Sequence, residues 1–85
     1  MVSSRHRATL AAVFATPTRA DIRWSDVERM IVAFGGDLEE RAGSRVLIRL
    51  HERRAVFHRP HPKPDTDKGA VVALRRFLTE AGVTP

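Results

Sequence analysis

Residues 41–61 read RAGSRVLIRLHERRAVFHRPH, and this stretch decides the fold. After a Gly-Ser turn, apolar side chains occupy every second position, which is the period-2 pattern of a strand with one buried face. These positions are Val46, Ile48 and Leu50. Arg45, Leu47, Arg49 and His51 alternate with them and are expected to face the other way. A connection at Glu52–Arg54 and a returning strand at Ala55–His58 would complete a hairpin.

The returning strand allows two orientations. If Phe57 points to the core, His58 stands on the open face of the sheet beside the basic residues. If Val56 points to the core instead, the side chain of His58 also points toward the core. The pattern leaves both orientations open, although burying a phenylalanine usually gains more free energy than burying a valine.

Charge is concentrated in the same region. From Arg41 to Lys63 there are seven Lys or Arg residues and one acid, Glu52, so this segment carries +6 while the whole chain carries +5. Three of the four histidines also lie in it, namely His51, His58 and His61. Histidine is the residue type whose proton affinity suits acid–base chemistry near neutral pH. This region is therefore the candidate functional site.

The composition limits the classes of function. At 85 residues the chain has room for one domain with a modest core. The lack of cysteine excludes a disulfide framework and fits a reducing compartment, so we expect a cytoplasmic protein. No apolar run approaches the roughly 18 to 20 residues of a membrane span, so no membrane is expected as a partner. A sequence pI near 11.3 favours a polyanion or an acidic protein as partner.

Two apolar stripes predict the helices that cover the sheet. The first helix is Ser25–Phe34, and Ser25–Glu28 has the spacing of a capping box at its start. The second helix is Lys68–Ala81, with a glycine directly after it. Arg75 and Arg76 fall on the polar side of this helix, where single charges are usually solvated.

The predicted fold class is α+β. A three-stranded antiparallel sheet, with Asp37–Arg41 as an edge strand, carries both helices on one face. A further helix is expected at Ser4–Ala15, followed by a linker. The predicted organisation is therefore an N-terminal helical extension and linker at residues 1–20 and a main domain at residues 21–85.

Five short segments follow one another in a recognisable order. They are an apolar helix ending in glycine at Val27–Gly35, Gly43-Ser44 before a strand, Arg59-Pro-His61, Lys68-Gly69 at a helix start, and Ala81-Gly82-Val83 at its end. In this order they resemble the HicA toxin family, which are small RNA-cleaving proteins of bacterial toxin–antitoxin pairs. The resemblance covers roughly Trp24 to Val83. It implies a fold like a double-stranded-RNA-binding domain, messenger RNA as substrate and a HicB-like antitoxin as partner.

Besides the direct adjacency of Pro60 and His61, where the family commonly has a residue between proline and histidine, one departure from the family bears on catalysis. The family motif is Gly-Ser-His, whose histidine is taken as catalytic, and here the third residue is Arg45. An arginine stays protonated at neutral pH, so it can hold a phosphate through two hydrogen bonds but is a poor general base. Proton transfer would then fall to His61, on a stiff proline-rich loop, with His58 as the reserve candidate. The catalytic candidates are therefore His61, His58 and Arg45.

RNA contact is expected mainly at the phosphate backbone, by shape rather than by base sequence. The candidates for RNA binding are Ser44, Arg45, Arg49, His51, Arg59 and Lys63. The histidines lack a familiar metal-ligand spacing, so no metal and no other cofactor is expected.

Two hypotheses follow. In the first, the chain is a HicA-like toxin of a type II toxin–antitoxin pair and a metal-independent, mRNA-cleaving endoribonuclease. In the second, it is a non-catalytic RNA-binding or antitoxin-binding domain whose histidines are ordinary surface residues.

Overall fold

The computed structural model describes residues 2–85, which form three helices and one three-stranded sheet. In chain order the elements are α1 (Ser4–Phe14), α2 (Trp24–Ala33), β1 (Asp37–Arg41), β2 (Arg45–Leu50), β3 (Arg53–His58) and α3 (Lys68–Glu80). The strands lie in the order β1-β2-β3, and both neighbouring pairs are antiparallel. The α+β prediction is confirmed, with β2 as the central strand of the sheet.

The inner face of the sheet is the apolar one. Val46, Ile48 and Leu50 are fully buried, as the alternation predicts. On β3, Phe57 is only 7% exposed whereas Val56 is 51% exposed. This resolves the two orientations left open by the sequence, and it leaves His58 on the exposed side of the sheet.

Helices α2 and α3 supply the rest of the core through their apolar stripes. The fully buried side chains of α2 are Val27, Met30 and Ile31, and those of α3 are Val71, Leu74 and Leu78. All belong to one hydrophobic cluster together with the inner face of the sheet. Within residues 2–85, no helix is long and apolar enough to cross a membrane.

The N-terminal helix shares this core. Leu10 and Val13 of α1 are buried in the same cluster as the residues of α2 and α3. Arg75 of α3 reaches the C-terminal end of α1, where it donates hydrogen bonds to the carbonyl oxygens of Val13 at 3.1 Å and Ala15 at 3.3 Å. The prediction that Arg75 is a solvated charge is wrong, because its guanidinium satisfies carbonyl groups that the helix end leaves free. The boundary at residue 20 stays a prediction.

The start of α2 also differs from the prediction. The helix begins at Trp24 after Arg23, and no side chain caps it. The expected capping box of Ser25 and Glu28 is therefore wrong. Instead, the carboxylate of Glu28 accepts a hydrogen bond from the indole Nε1 of Trp24 at 2.7 Å. At α3, by contrast, the side chain of Asp67 accepts from the amide of Ala70 and caps the helix.

Replacing Arg75 tests the attachment of α1. Arg75→Ala leaves carbonyl groups at the end of α1 without their donor, so we expect the free energy of unfolding to fall by about 1–3 kcal/mol. Arg76→Ala is the matched control, because the neighbouring arginine is exposed and makes no such bonds; its effect should stay within about 0.5 kcal/mol. Urea denaturation measures both. Equal losses in the two variants would contradict the role given to Arg75.

Candidate nucleic-acid interface

The β1–β2 turn and the end of β3 meet at one end of the sheet. Gly43 and Ser44 both have left-handed backbone conformations, with φ of 71° and 63°, which reverse the chain between the two strands. The carbonyl oxygen of Ser44 accepts a hydrogen bond from the amide of Arg59 at 2.9 Å. This bond extends the β2–β3 pairing by one further rung and fixes the turn beside the residues that follow β3.

Arg45 and His58 are neighbours at this end. They are paired residues of β2 and β3, and both are exposed on the outer face of the sheet. The Nε of Arg45 donates to the carbonyl oxygen of Ala42 at 2.9 Å, which orients the guanidinium. Since Arg45 forms no ion pair with any residue between 2 and 85, its remaining donors are available to a phosphate.

The loop after β3 carries His61 and Lys63. It is held at its start by the Arg59–Ser44 bond and at its end by the carbonyl oxygen of Pro64, which accepts from the amide of Trp24 at 2.9 Å. Residues 61–63 are therefore the exposed part of a short loop that is tied at both ends. We refer to Gly43–Arg45, His58 and residues 59–63 together as the turn-end site.

Arg59 forms ion pairs with two carboxylates. Its Nε donates to Glu28 on α2 at 2.7 Å, and its Nη1 donates to Glu40 on β1. These hydrogen bonds, first that to Glu40 and then that to Glu28, raise the pKa of Arg59 above its ordinary value, so it remains a cation. The side chain of Arg59 is 29% exposed, and its guanidinium faces protein groups. The structure thus places this RNA-binding candidate as a bridge between α2 and the sheet.

Glu28 and Glu40 could not be recognised from the sequence as partners of Arg59. Glu28 was assigned to a helix cap, and Glu40 is an ordinary acid in an edge strand. The pairs are separated by 31 and 19 positions along the chain, so no local pattern connects them. Only the folded sheet brings the three side chains together.

Arg49 lies further along the outer face of the sheet. Its guanidinium donates to Glu39 at 2.7 Å and to Asp37 at 3.3 Å, both on β1. The hydrogen bond to Glu39, followed by that to Asp37, raises the pKa of Arg49, and the same bond to Arg49 is the main cause that lowers the pKa of Glu39. The charge of Arg49 is therefore compensated within the sheet, unlike that of Arg45.

His51 lies away from the other candidates. It occupies the β2–β3 turn, at the opposite end of β2 from Arg45, with a positive φ of 55°. Its Nδ1 is 2.7 Å from the carbonyl oxygen of Ala81, just after α3. The structure therefore brings Ser44, Arg45, His58, Arg59 and the loop residues to one end of the sheet and leaves His51 at the other. In the described part of the chain, no group of three His, Cys, Asp or Glu residues could hold a metal ion.

The comparison with protein families gives a match over residues 24–83. The matching family model is described as the HicA toxin of bacterial toxin–antitoxin systems, and it covers α2, the whole sheet and α3. The chain belongs to the HicA toxin family. No curated protein and no protein of solved structure is similar enough to this HicA chain to count as a match.

Family membership has two consequences for this chain. The chain is a toxin of the toxin–antitoxin type, and membership of this family implies an antitoxin as its partner. The order α2-β1-β2-β3-α3 agrees with the fold like a double-stranded-RNA-binding domain that the resemblance implied. The turn-end site and the bridge made by Arg59 both lie inside the matched segment.

The bridge can be tested against the more exposed ion pairs of Arg49. Arg59→Ala leaves the half-buried carboxylate of Glu28 with one donor fewer, so we expect the free energy of unfolding to fall by about 1–2 kcal/mol after allowance for solvent. Arg49→Ala, which also removes contacts to two carboxylates, is the matched control and should cost less, because its partners are solvated. Urea denaturation of both variants measures the difference. A larger loss for Arg49→Ala would contradict the importance given to Arg59.

Proposed function

We propose that this HicA chain is an endoribonuclease that cleaves messenger RNA without a metal ion, in the cytoplasm. The observation that carries the proposal is the convergence of His58, Arg45 and the loop bearing His61 at one exposed end of the sheet. An acid–base residue and a cation are thereby presented together to solvent. The arrangement suits a phosphodiester, whose cleavage needs both proton transfer and stabilisation of negative charge.

The proposed reaction uses the ribose 2′-hydroxyl as nucleophile. His61 takes the proton of this hydroxyl while its oxygen bonds to the neighbouring phosphorus, and the bond from phosphorus to the 5′-oxygen breaks. The departing oxygen receives a proton from an acid, so the products are a 2′,3′-cyclic phosphate and a 5′-hydroxyl. His58, which is paired with Arg45 across β2 and β3, is the reserve candidate for the base. Arg45 holds the phosphate oxygens as negative charge accumulates on them.

RNA binding is proposed to depend on the phosphate backbone. Arg45 and Lys63 are exposed cations at the turn-end site, and Ser44 directly precedes Arg45 in the β1–β2 turn. Arg49 and Arg59 already donate hydrogen bonds to carboxylates. We therefore assign them to shaping this surface rather than to the main phosphate contacts. His51 is assigned a similar supporting role, at the other end of the hairpin. Because phosphate contacts carry no base information, binding should weaken steeply as salt rises.

The antitoxin is proposed to be HicB-like and to block this site. The chain carries +5 overall, so an acidic partner gains in encounter rate and in selectivity from the unlike charge. Covering the turn-end site would exclude RNA from both histidines and from Arg45.

A second candidate function is RNA binding or antitoxin binding without catalysis. Arg45 favours it, since this position holds the catalytic histidine of the family motif and arginine cannot act as a general base at neutral pH. The two functions differ in turnover alone.

Cleavage by histidine variants decides between them. Loss of a positioned acid–base group costs on the order of 10² to 10⁴ in rate, so His61→Ala should nearly abolish cleavage of a messenger RNA in EDTA while RNA affinity stays within about threefold. His6→Ala is the matched control, because His6 lies on α1, outside the turn-end site, and this variant should cleave as the wild type does. His58→Ala and Arg45→Ala are measured alongside.

The outcomes separate the two functions. Absence of cleavage by the wild-type chain, together with intact RNA binding, would establish the non-catalytic function. Cleavage that survives both His61→Ala and His58→Ala would show that the proposed proton-transfer residues are wrong.

A further inference from the structure

Strand β3 leaves one edge of the sheet open. It is the last strand in the order β1-β2-β3, and its pairing with β2 extends to the amide of Arg59, which donates to Ser44. Backbone groups of an antiparallel strand alternate between its two neighbours. The backbone amide and carbonyl of residue 59 point toward β2, and those of residues 57, 55 and 53 therefore do so as well. The amides and carbonyls of Arg54, Val56 and His58 point toward the open edge.

A groove runs between this edge and α3. Its volume is about 700 Å³, and Phe57 and Phe77 form part of its apolar lining. Val56 on β3 and Val72 on α3 stand on its two sides, and each is 51% exposed. Exposed valines beside unpaired backbone groups are the features that an added strand would cover.

The charges of the groove favour an acidic occupant. Arg53, Arg54 and Arg76 line it, and none of them forms an ion pair with a carboxylate anywhere in residues 2–85. Other arginines of the sheet, Arg49 and Arg59, are each held by two carboxylates. The lining of the groove also includes two acids, Glu52 and Glu80, so its formal charge is +1.

A second copy of this chain fits the edge poorly. Antiparallel pairing of two β3 strands centred on Val56 would set Arg54 of one copy opposite His58 of the other, and Arg53 opposite Arg59. Charged side chains at a sheet edge oppose such self-pairing. RNA also fits poorly, since it has no regular row of amides to exchange hydrogen bonds with a strand. An extended protein segment with acidic side chains satisfies the backbone, the valines and the arginines together.

We propose that the antitoxin partner lays an extended acidic segment along β3 in this groove and adds a fourth strand to the sheet. Backbone hydrogen bonds form at Arg54, Val56 and His58. Side chains on one face of the added strand meet Val56 and Arg54 on the outer side of the sheet, and those on its other face meet Val72 and Arg76 on α3. The inference rests on membership of a toxin–antitoxin family, which implies such a partner, and is independent of RNA cleavage. The added strand ends beside His58, at the border of the turn-end site.

A synthetic peptide tests the proposal without RNA or catalysis. The probe is an amidated peptide of about eight residues in which pairs of Glu alternate with pairs of Val, so that each face of the strand carries both kinds of side chain. This length is sufficient to pair with a strand of ordinary length. It is titrated into the full ¹⁵N-labelled chain at low salt. We expect the amides of Arg54, Val56 and His58 to shift and to exchange with solvent at least about tenfold more slowly. The amides of the intervening residues, which already pair with β2, should change less.

Charge and backbone controls sharpen this test. A double variant, Arg54→Glu with Arg76→Glu, should weaken peptide binding by at least about tenfold. The matched control, Arg5→Glu with Arg7→Glu, makes the same charge change on α1 and should bind as the wild type does. A peptide N-methylated at alternate residues loses its strand donors and should fail to bind, as should a version with Lys in place of Glu.

Several results would overturn the proposal. Amide shifts confined to β1 and α2 would place the peptide elsewhere. If the Arg54→Glu, Arg76→Glu variant bound the peptide as tightly as the wild type does, charge would not guide binding. If the N-methylated peptide bound as tightly as the unmodified one, the segment would not add as a strand. A single-stranded oligoribonucleotide that shifts the same alternate amides and displaces the peptide would assign the groove to RNA instead. Self-association of the free chain through these amides would assign it to a second copy.

Discussion

The ion pairs of Arg59 with Glu28 and Glu40 join three parts of the fold that carry the candidate site. Arg59 follows β3, Glu28 lies on α2, and Glu40 lies on β1. The carboxylate of Glu28 also accepts from Trp24, which is buried at the start of α2. A half-buried carboxylate is costly without donors, and these two donors satisfy it. Arg59 also fixes the turn at Ser44 through its backbone amide, so the position of the turn-end site depends on the bridge that Arg59 makes.

The arginines of the chain fall into two groups, and this division shapes the proposed function. Arg49, Arg59 and Arg75 are held by carboxylates or carbonyl oxygens and stabilise the fold. Others form no ion pair within residues 2–85, among them Arg45 at the turn-end site and Arg54 beside the groove. Net charge alone does not separate the two groups. The unpaired arginines mark two neighbouring surfaces, one suited to phosphate and the other to an acidic protein segment.

The sequence predicted the parts of the structure that follow from periodicity. The alternation in β2 and the apolar stripes of α2 and α3 were sufficient for the fold class, since burial of those faces dominates folding. It could not predict contacts between distant residues, such as Arg59 with Glu28 or Arg75 with the end of α1. The basic window also suggested one continuous surface, whereas the hairpin carries His51 to the far end of the sheet. Charge density along a chain does not specify which side chains a fold brings together.

The most direct test of the account concerns the ribose 2′-hydroxyl of the substrate. The wild-type chain is incubated in EDTA with one RNA oligomer and with the same oligomer carrying 2′-O-methyl groups, and the product ends are identified by mass spectrometry. We expect cleavage of the unmodified RNA alone, with a 2′,3′-cyclic phosphate on the product, because the proposed reaction begins with removal of the proton of that hydroxyl. Cleavage of the methylated oligomer, or the lack of any cleavage, would contradict it.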